Sequence, residues 1–181
     1  MIKRIFDIIF SFLLLVLLCE LIFIGFILAS IDTRSNGIFC QKRVGQYGKL
    51  FTIFKLKTIH PKTRKVSKLG YLLRKSKWDE LPQLWNVFIG EMSFVGPRPD
   101  ISGYYDKLQG EERKILELKP GITSLASIKY KNEEEILSKK ENPLEYNNAV
   151  LFPDKVKMNM EYYYNHSFFG DIKIILKTIS R

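Results

Sequence analysis

Asp79 and Glu80 are neighbouring carboxylates in the segment Trp78-Asp79-Glu80-Leu81-Pro82, and their position decides what such a pair can do. Leu81, Leu84, Trp85 and Phe88 recur as one face of a helix, and Gly90 is suited to end it. Pro82 is tolerated only in a first helical turn, so the spacing predicts a helix that begins around Asp79. At that end, unpaired N–H groups and the helix dipole favour negative charge and also attract phosphate. Helix capping alone would account for an acidic pair in most proteins. Further on, Gly96-Pro97-Arg98-Pro99 sets one arginine between two prolines whose φ is fixed, so Arg98 is aimed with little loss of chain entropy. A guanidinium is the side chain suited to bidentate phosphate recognition. Acid pair and aimed arginine together point to phosphate chemistry.

The composition agrees. The chain has 181 residues with 29 Lys and Arg against 19 Asp and Glu, a net charge of +10, which calls for an anionic partner: nucleic acid, anionic lipid or a phosphorylated substrate. Cys19 and Cys40 are the two cysteines, too few for a disulfide framework, and ordinary burial is the simplest reading of both. His60 and His166 are isolated, and no Cys or His group has zinc-ligand spacing. Nothing in the sequence matches a nucleic-acid-binding motif.

Something must hold these residues near their partner. Ile8 to Ile31 is almost continuously apolar and as a helix would be roughly 36 Å long, enough to cross a hydrocarbon core. The run is too long for a usual signal-peptide core, and the Lys-rich remainder reads as cytosolic. Residues 1–33 are therefore expected to form a membrane helix and residues 34–181 a cytoplasmic catalytic domain. Lys3 and Arg4 precede the run while Arg34, Lys42 and Arg43 follow it, so the positive-inside rule draws both ends to the cytoplasm. A helix that bends back to its own face satisfies both ends; a straight span exports Lys3 and Arg4. Glu20, near the midpoint, is costly there at about 2.5 to 3.5 kcal/mol when ionised, so it is expected to be neutral, paired or close to a watered bend.

In the remainder, Ile38 to Val44 and Leu50 to Thr58 read as strands, joined through Gly45-Gln46-Tyr47-Gly48 into a β-hairpin. Between Lys55 and Lys77 nine basic residues recur, most of them expected to form a solvated face. Phe168 to Ile179 repeats the helical pattern, with Phe168, Ile172, Ile175, Leu176 and Ile179 apolar and Lys173 and Lys177 elsewhere. That helix either lies in the membrane interface or packs on the domain. Glu133, Glu134 and Glu135 read as a solvated helix start. The fold class expected is α/β: a membrane-embedded, re-entrant N-terminal helix, one small domain of short helices and a β-hairpin, and interfacial amphipathic helices.

The segment WDELPQLWNVFIGEMSFVGPRP is similar to the signature of the bacterial sugar transferases known as monotopic phosphoglycosyl transferases. The resemblance covers nearly the whole chain: the apolar N-terminus, QKRVG, IFKLKT, the acidic pair and its helix, VGPRP and the later KPGIT. It implies that Asp79 is a nucleophile that attacks the β-phosphorus of a UDP-sugar and releases UMP, and that polyprenyl (undecaprenyl) phosphate then takes the phosphosugar. Glu80 is implied as a ligand of Mg²⁺, with Asp79 also near the metal, or as a base for the second step. Lys57, Arg74 and Arg98 match basic positions of the pattern and would neutralise phosphate oxygens. The same resemblance implies the cytoplasmic membrane as location, its lipids as partners, and a place at the start of cell-surface glycan assembly.

Two departures stand out. Many relatives carry Ser-Pro at the middle of the membrane helix, where this chain has Cys19-Glu20, so the bend lacks its usual cause. After KPGIT, relatives often read Gly-Trp-Ala-Gln-Val, where this chain has Ser124-Leu125-Ala126-Ser127-Ile128; the donor sugar is left open. The alternative to an enzyme is a catalytically silent scaffold of the same fold that binds lipid phosphate or partner glycosyltransferases.

Overall fold

The first helix, α1 (Ile2–Thr33), is turned inside out relative to a helix of a water-soluble core. Its buried positions are Asp7, Ser11, Gly25, Ala29 and Thr33, small or polar residues at four-residue spacing in each cluster. Its large apolar side chains, among them Phe12, Leu13, Val16, Leu17, Phe23 and Ile31, face outward. Only 11% of its most apolar window is buried. Such a surface is stable where the surroundings are themselves apolar, and α1 is long and apolar enough to cross a membrane.

The computed structural model describes residues 1–180 and is mixed α/β, as expected. After α1 come β1 (Ile38–Val44) and β2 (Leu50–Leu56), an antiparallel hairpin. Next are α2 (Lys68–Lys75), α3 (Gln83–Ile89) and β3 (Ser93–Val95), then β4 (Gly121–Thr123) and α4 (Leu125–Lys129). The chain closes with α5 (Glu133–Ser138), α6 (Pro143–Tyr146), α7 (Phe152–Asn165) and α8 (Phe168–Ile179). Its contacts divide it into two compact units: Met1–Arg43 with Leu50–Met92, and Val44–Lys49 with Ser93–Arg181.

In the first unit, α1 is one uninterrupted helix, with no break at Cys19-Glu20. The helix runs through these positions, which lack the proline that would interrupt its hydrogen-bond ladder. Both ends of α1 are nonetheless held by this unit. Arg4 donates from Nη1 to the Val87 carbonyl at 2.6 Å and from Nη2 to the Phe88 carbonyl at 2.8 Å, a cation on the C-terminal carbonyls of α3. At the other end Ser67, the N-cap of α2, donates to Asp32 Oδ2 at 2.7 Å. Between them, Trp78 Nε1 donates to the Leu21 carbonyl at 3.1 Å. Gly25 is required where α1 passes β2: an added Cβ would lie 2.6 Å from Leu56 Cδ1 and 3.0 Å from Trp78 Nε1.

The hairpin follows the sequence reading closely, except that the second strand ends at Leu56 rather than Thr58. The helix after the acidic pair differs more. Its buried residues are Gln83, Leu84, Asn86 and Val87, whereas Trp85 and Ile89 are exposed. The apolar face expected to be inside is thus partly outside, and two amides are inside. Asn86 explains why: fully buried, it accepts from Phe54 N–H and donates to the Thr52 carbonyl at 2.7 Å and to Glu91 Oε2 at 2.7 Å, so its polar atoms are satisfied by the strand beside it. Gly90 ends α3 in the left-handed region at φ 94°, as its position predicts.

The second unit is built on a parallel pair, β3 and β4, with Ser93 opposite Gly121 and Val95 opposite Thr123. Its core joins Val44, Tyr105, Leu108, Ile115, Leu116 and Val156, with Phe152 and Met160 packed against it. Helix α8 has the bounds the sequence predicts. It packs through Ile174 and Asp171, with Thr178 hydrogen-bonded to Thr123 at 2.7 Å, and still exposes Phe169, Leu176 and Ile179. Glu133 to Glu135 do open α5, as expected. Both cysteines are exposed, which corrects the expectation of burial: Cys19 lies on the outward surface of α1 and Cys40 on the hairpin.

Replacing Gly25 by valine should push α1 away from Leu56 and Trp78 and destabilise the first unit by about 1–3 kcal/mol. Thermal unfolding of the detergent-solubilised chain, compared with an outward-facing Ile24→Val control, would register it as a lowered midpoint for Gly25→Val alone.

Candidate active site

Lys77 enters the left-handed region at φ 59° and swings the chain into a 3₁₀ turn, Trp78–Glu80. Glu80 N–H bonds the Lys77 carbonyl at 3.1 Å and Leu81 N–H the Trp78 carbonyl at 3.2 Å. Pro82 has no N–H with which to extend an α-helical ladder backward, so α3 starts at Gln83 and the acidic pair precedes it. This corrects the expectation that the helix begins around Asp79. It also removes the capping explanation, because α3 has no side-chain cap.

What Asp79 does instead is unusual. It is 8% exposed, and its Oδ1 is buried without a hydrogen-bond partner among the described residues. A buried carboxylate oxygen left unmatched is costly and marks a place where a ligand can complete the shell. Burial raises the Asp79 pKa most, and the neighbouring Glu80 charge raises it further; Lys55, Lys77 and Arg74 oppose both. Glu80 is held by Lys55 Nζ at 2.8 Å, a largely buried ion pair that joins the acidic turn to β2.

The structure therefore brings together Asp79, Glu80, Lys55, Lys77 and Arg74. Arg74 donates from Nε to Thr58 Oγ1 at 2.9 Å, which fixes the guanidinium while its charge still acts on Asp79. Lys57 bonds Ser35 Oγ at 3.1 Å, beside the end of α1. Lys55 is the residue the sequence reading missed as a site residue. Its signal was available, since Lys55 and Lys57 are two apart in an extended segment and so share a face. The other basic residues, Lys62, Arg64, Lys65 and Lys68, are exposed, as a solvated face requires. His60 Nδ1 accepts backbone N–H groups from Lys62 and Thr63, and His166 Nδ1 lies 2.9 Å from the Tyr163 carbonyl, both ordinary hydrogen-bonded histidines.

Arg98 belongs to the second unit, on the loop that leaves β3. That loop is anchored by Gly121 N–H to the Pro97 carbonyl at 2.8 Å and by Gly96 N–H to the Thr123 carbonyl at 3.0 Å. Glycine is obligatory here: a Cβ on Gly96 would lie 2.2 Å from the Lys119 carbonyl, and one on Gly121 would lie 2.2 Å from Gly96 N. The GPRP and KPGIT segments are thus one backbone-to-backbone contact. It leaves the Arg98 side chain exposed at the rim of a small crevice with Val44, Gly45 and Tyr105.

Among the described residues no three His, Cys, Asp or Glu side chains gather as a metal site. The adjacent Asp79 and Glu80, one with an unmatched buried oxygen, do fit an ion such as Mg²⁺ that takes one or two carboxylates and fills its remaining positions with substrate oxygens and water.

The family model for bacterial sugar transferases matches residues 1–181, and the chain belongs to that family. It is similar to an uncharacterized sugar transferase, EpsL, of Bacillus subtilis (strain 168), with 33% identity over 99% of this chain and 86% of the relative. It is 28% identical to a UDP-glucose:undecaprenyl-phosphate glucose-1-phosphate transferase of Caulobacter vibrioides, covering 98% of this chain and 68% of that protein. A transferase of the same name from Klebsiella pneumoniae is 32% identical over 98% of this chain, which spans 39% of that longer protein.

With its pKa raised, Asp79 holds its proton to a higher pH than an ordinary aspartate, so its charged fraction is lost as pH falls through that raised value. Carboxyl ¹³C NMR of the metal-free chain should show this titration above the usual Asp range. Glu80→Gln should move it down and Lys55→Met should move it up.

Proposed function

We propose that this chain transfers a sugar phosphate from a UDP-sugar to polyprenyl phosphate, with Asp79 as the covalent nucleophile. The observation that carries the reading is the buried Asp79 carboxylate, with an unmatched oxygen, on a turn pinned through Trp78 to the apolar helix. A nucleophile for phosphorus has to be ionised and unshielded, and cations must quench its repulsion from the incoming diphosphate. Lys55, Lys77 and Arg74 act on Asp79 in that sense.

In the first half-reaction an Asp79 oxygen attacks the β-phosphorus. The bond from that phosphorus to the bridging oxygen breaks, and UMP leaves with the electron pair. In the second, an oxygen of polyprenyl phosphate attacks the same phosphorus, the bond to Asp79 breaks, and polyprenyl diphosphosugar departs with the carboxylate regenerated. Arg74 and Lys57 are assigned to phosphate oxygens. Glu80, ion-paired with Lys55, is assigned to hold Mg²⁺ together with Asp79. When bound, that ion would neutralise diphosphate charge. The lipid acceptor suits a site tied to α1, because a polyprenyl tail cannot leave the bilayer while its head group reacts. We assign the chain to the bacterial cytoplasmic membrane with its site on the cytoplasmic face, where UDP-sugars are made; the long apolar α1 supports a membrane location. Relatives named for this reaction support the reading: those of Caulobacter vibrioides and Klebsiella pneumoniae use UDP-glucose and undecaprenyl phosphate by name.

Membranes containing the chain, given a UDP-sugar labelled at the β-phosphorus and no acceptor, should retain label on the protein. Adding polyprenyl phosphate should discharge it to lipid. Asp79→Asn should abolish both and lower turnover by at least about 10³-fold, the size expected for removing a nucleophile. Turnover undiminished in Asp79→Asn sinks the assignment, and no turnover of any UDP-sugar by the intact chain returns the reading to a silent scaffold.

A further inference from the structure

Five exposed cations of the first unit, Lys62, Arg64, Lys65, Lys68 and Lys75, have no role in the chemistry above. No Asp or Glu occurs between Asp32 and Asp79, so this stretch brings no carboxylate of its own to offset them. Three of the five stand on a loop that is closed and fixed. Ile59 bridges to Val66, His60 N–H bonds the Lys65 carbonyl at 3.0 Å, and Arg64 N–H bonds the His60 carbonyl at 2.9 Å with Arg64 itself in the left-handed region at φ 56°. The other two stand on α2.

Exposure alone fits a solvated face, but the pattern along α2 does not. This helix has two distinct faces. Toward Thr58 it presents Gly70 and Arg74: Arg74 bonds the Thr58 hydroxyl, and a Cβ on Gly70 would lie 2.6 Å from the Thr58 carbonyl oxygen, so the helix has no room to roll. The outward face carries Lys68, Tyr71, Leu72 and Lys75, spaced i, i+3, i+4 and i+7. Tyr71 is 64% and Leu72 57% exposed. In water, burial contributes nothing for these two side chains. At a bilayer boundary the same order is favourable: tyrosine sits among head groups, leucine reaches below them, and the lysine stems run along the apolar layer while their charges meet phosphates.

The place of α2 in the unit agrees. Its N-cap, Ser67, donates to Asp32 Oδ2 at 2.7 Å. Asp32 directly follows Ile31, which is 70% exposed and is the last outward apolar side chain of α1. The level at which α1 leaves its apolar surroundings is therefore the level at which the basic loop ends and α2 begins.

We propose that this face, the outward side of α2 together with the closed basic loop before it, docks on the anionic phospholipid head groups of the bilayer that α1 enters. Head-group phosphates meet the five cations, while Tyr71 and Leu72 enter the layer beneath. Each basic residue at such a surface contributes about five-fold in affinity, so the five together prefer anionic to neutral lipid, and salt screens that preference away. The inference does not depend on the transfer reaction.

The test uses the full chain carrying Cys19→Ser, Cys40→Ser and Leu72→Cys, with an environment-sensitive fluorophore on the introduced thiol, in nanodiscs of phosphatidylcholine with or without phosphatidylglycerol. Phosphatidylglycerol should shift the emission to the blue and raise it at least about two-fold, and added salt should reverse both changes. Joint replacement Lys62→Gln, Arg64→Gln and Lys65→Gln should remove the response, whereas Lys139→Gln with Lys140→Gln, on the second unit, should leave it intact. Thermal unfolding of each variant establishes that the fold is retained. In discs of phosphatidylcholine alone, inorganic phosphate or a short RNA should leave the probe unchanged. A probe indifferent to phosphatidylglycerol in the chain with all five cations overturns the proposal without recourse to any charge variant. So does a response that survives loss of the three loop charges, one lost equally with Lys139 and Lys140, or one that phosphate or RNA reproduces.

Discussion

A buried carboxyl group with acidic and basic neighbours pulling its ionisation in opposite directions is the constraint around which the first unit is arranged. Removing Asp79 from water favours its protonated form, and Glu80 beside it adds repulsion in the same direction. Lys55, Lys77 and Arg74, which converge on the turn from different elements, oppose both effects in part, and the pKa stays above that of an ordinary aspartate. Lys55 comes from β2, Arg74 from the last turn of α2, and Lys77 from the left-handed residue that opens the turn. Each cation has a positional anchor: Glu80 for Lys55, Thr58 for Arg74, and the backbone itself for Lys77. An exposed aspartate would need none of this, but it would also keep its own water shell, which any attack on phosphorus must first strip away.

The apolar helix is part of this arrangement and more than a tether. Trp78 is adjacent to Asp79 in sequence, and its indole N–H closes on a backbone carbonyl of α1 that is already used within the helix. Close approach there depends on Gly25, so helix and acidic turn were shaped against each other. The charge problem at the N-terminus is resolved in the same unit. Arg4 needs no water on a far side of the membrane, because its guanidinium is taken up by the C-terminal carbonyls of α3. An uninterrupted helix can therefore keep its basic start beside the elements that follow it.

Much of this was legible in the residue order, for identifiable reasons. Period and punctuation fixed β1, α8 and the end of α3 at Gly90, because each depends on local geometry that one residue type dominates. The acidic pair and Arg98 could be singled out because their neighbours, Pro82 in one case and two prolines in the other, restrict the backbone. What escaped was tertiary. Amphipathic spacing put Trp85 inward, but α3 lies beside an apolar helix and buries Asn86 and Gln83 instead, since the strand beside it can satisfy Asn86. The pairing of Lys55 with Glu80 joins residues 25 apart, and the parallel pair of β3 with β4 brings together two short segments with no alternation to betray them. The need for Gly96 and Gly121 shows itself only when their backbones are in contact.

Asn86 shows how a residue outside the acidic turn still governs it. Its side-chain oxygen holds the N–H of Phe54, and its amide nitrogen holds the carbonyl of Thr52 and the carboxylate of Glu91. With both ends committed, the amide has one orientation, and that orientation fixes the register of β2 against α3. Lys55 follows Phe54 directly, and Glu80 stands three residues before α3, so the same register sets the distance between the two charges. A hydrophobic residue of similar size would fill the space but leave a strand N–H and carbonyl unmatched and the two elements free to slide. The buried amide therefore converts packing in the core into the placement of an ion pair at the site, which is a demand that apolar contacts, being without direction, cannot meet.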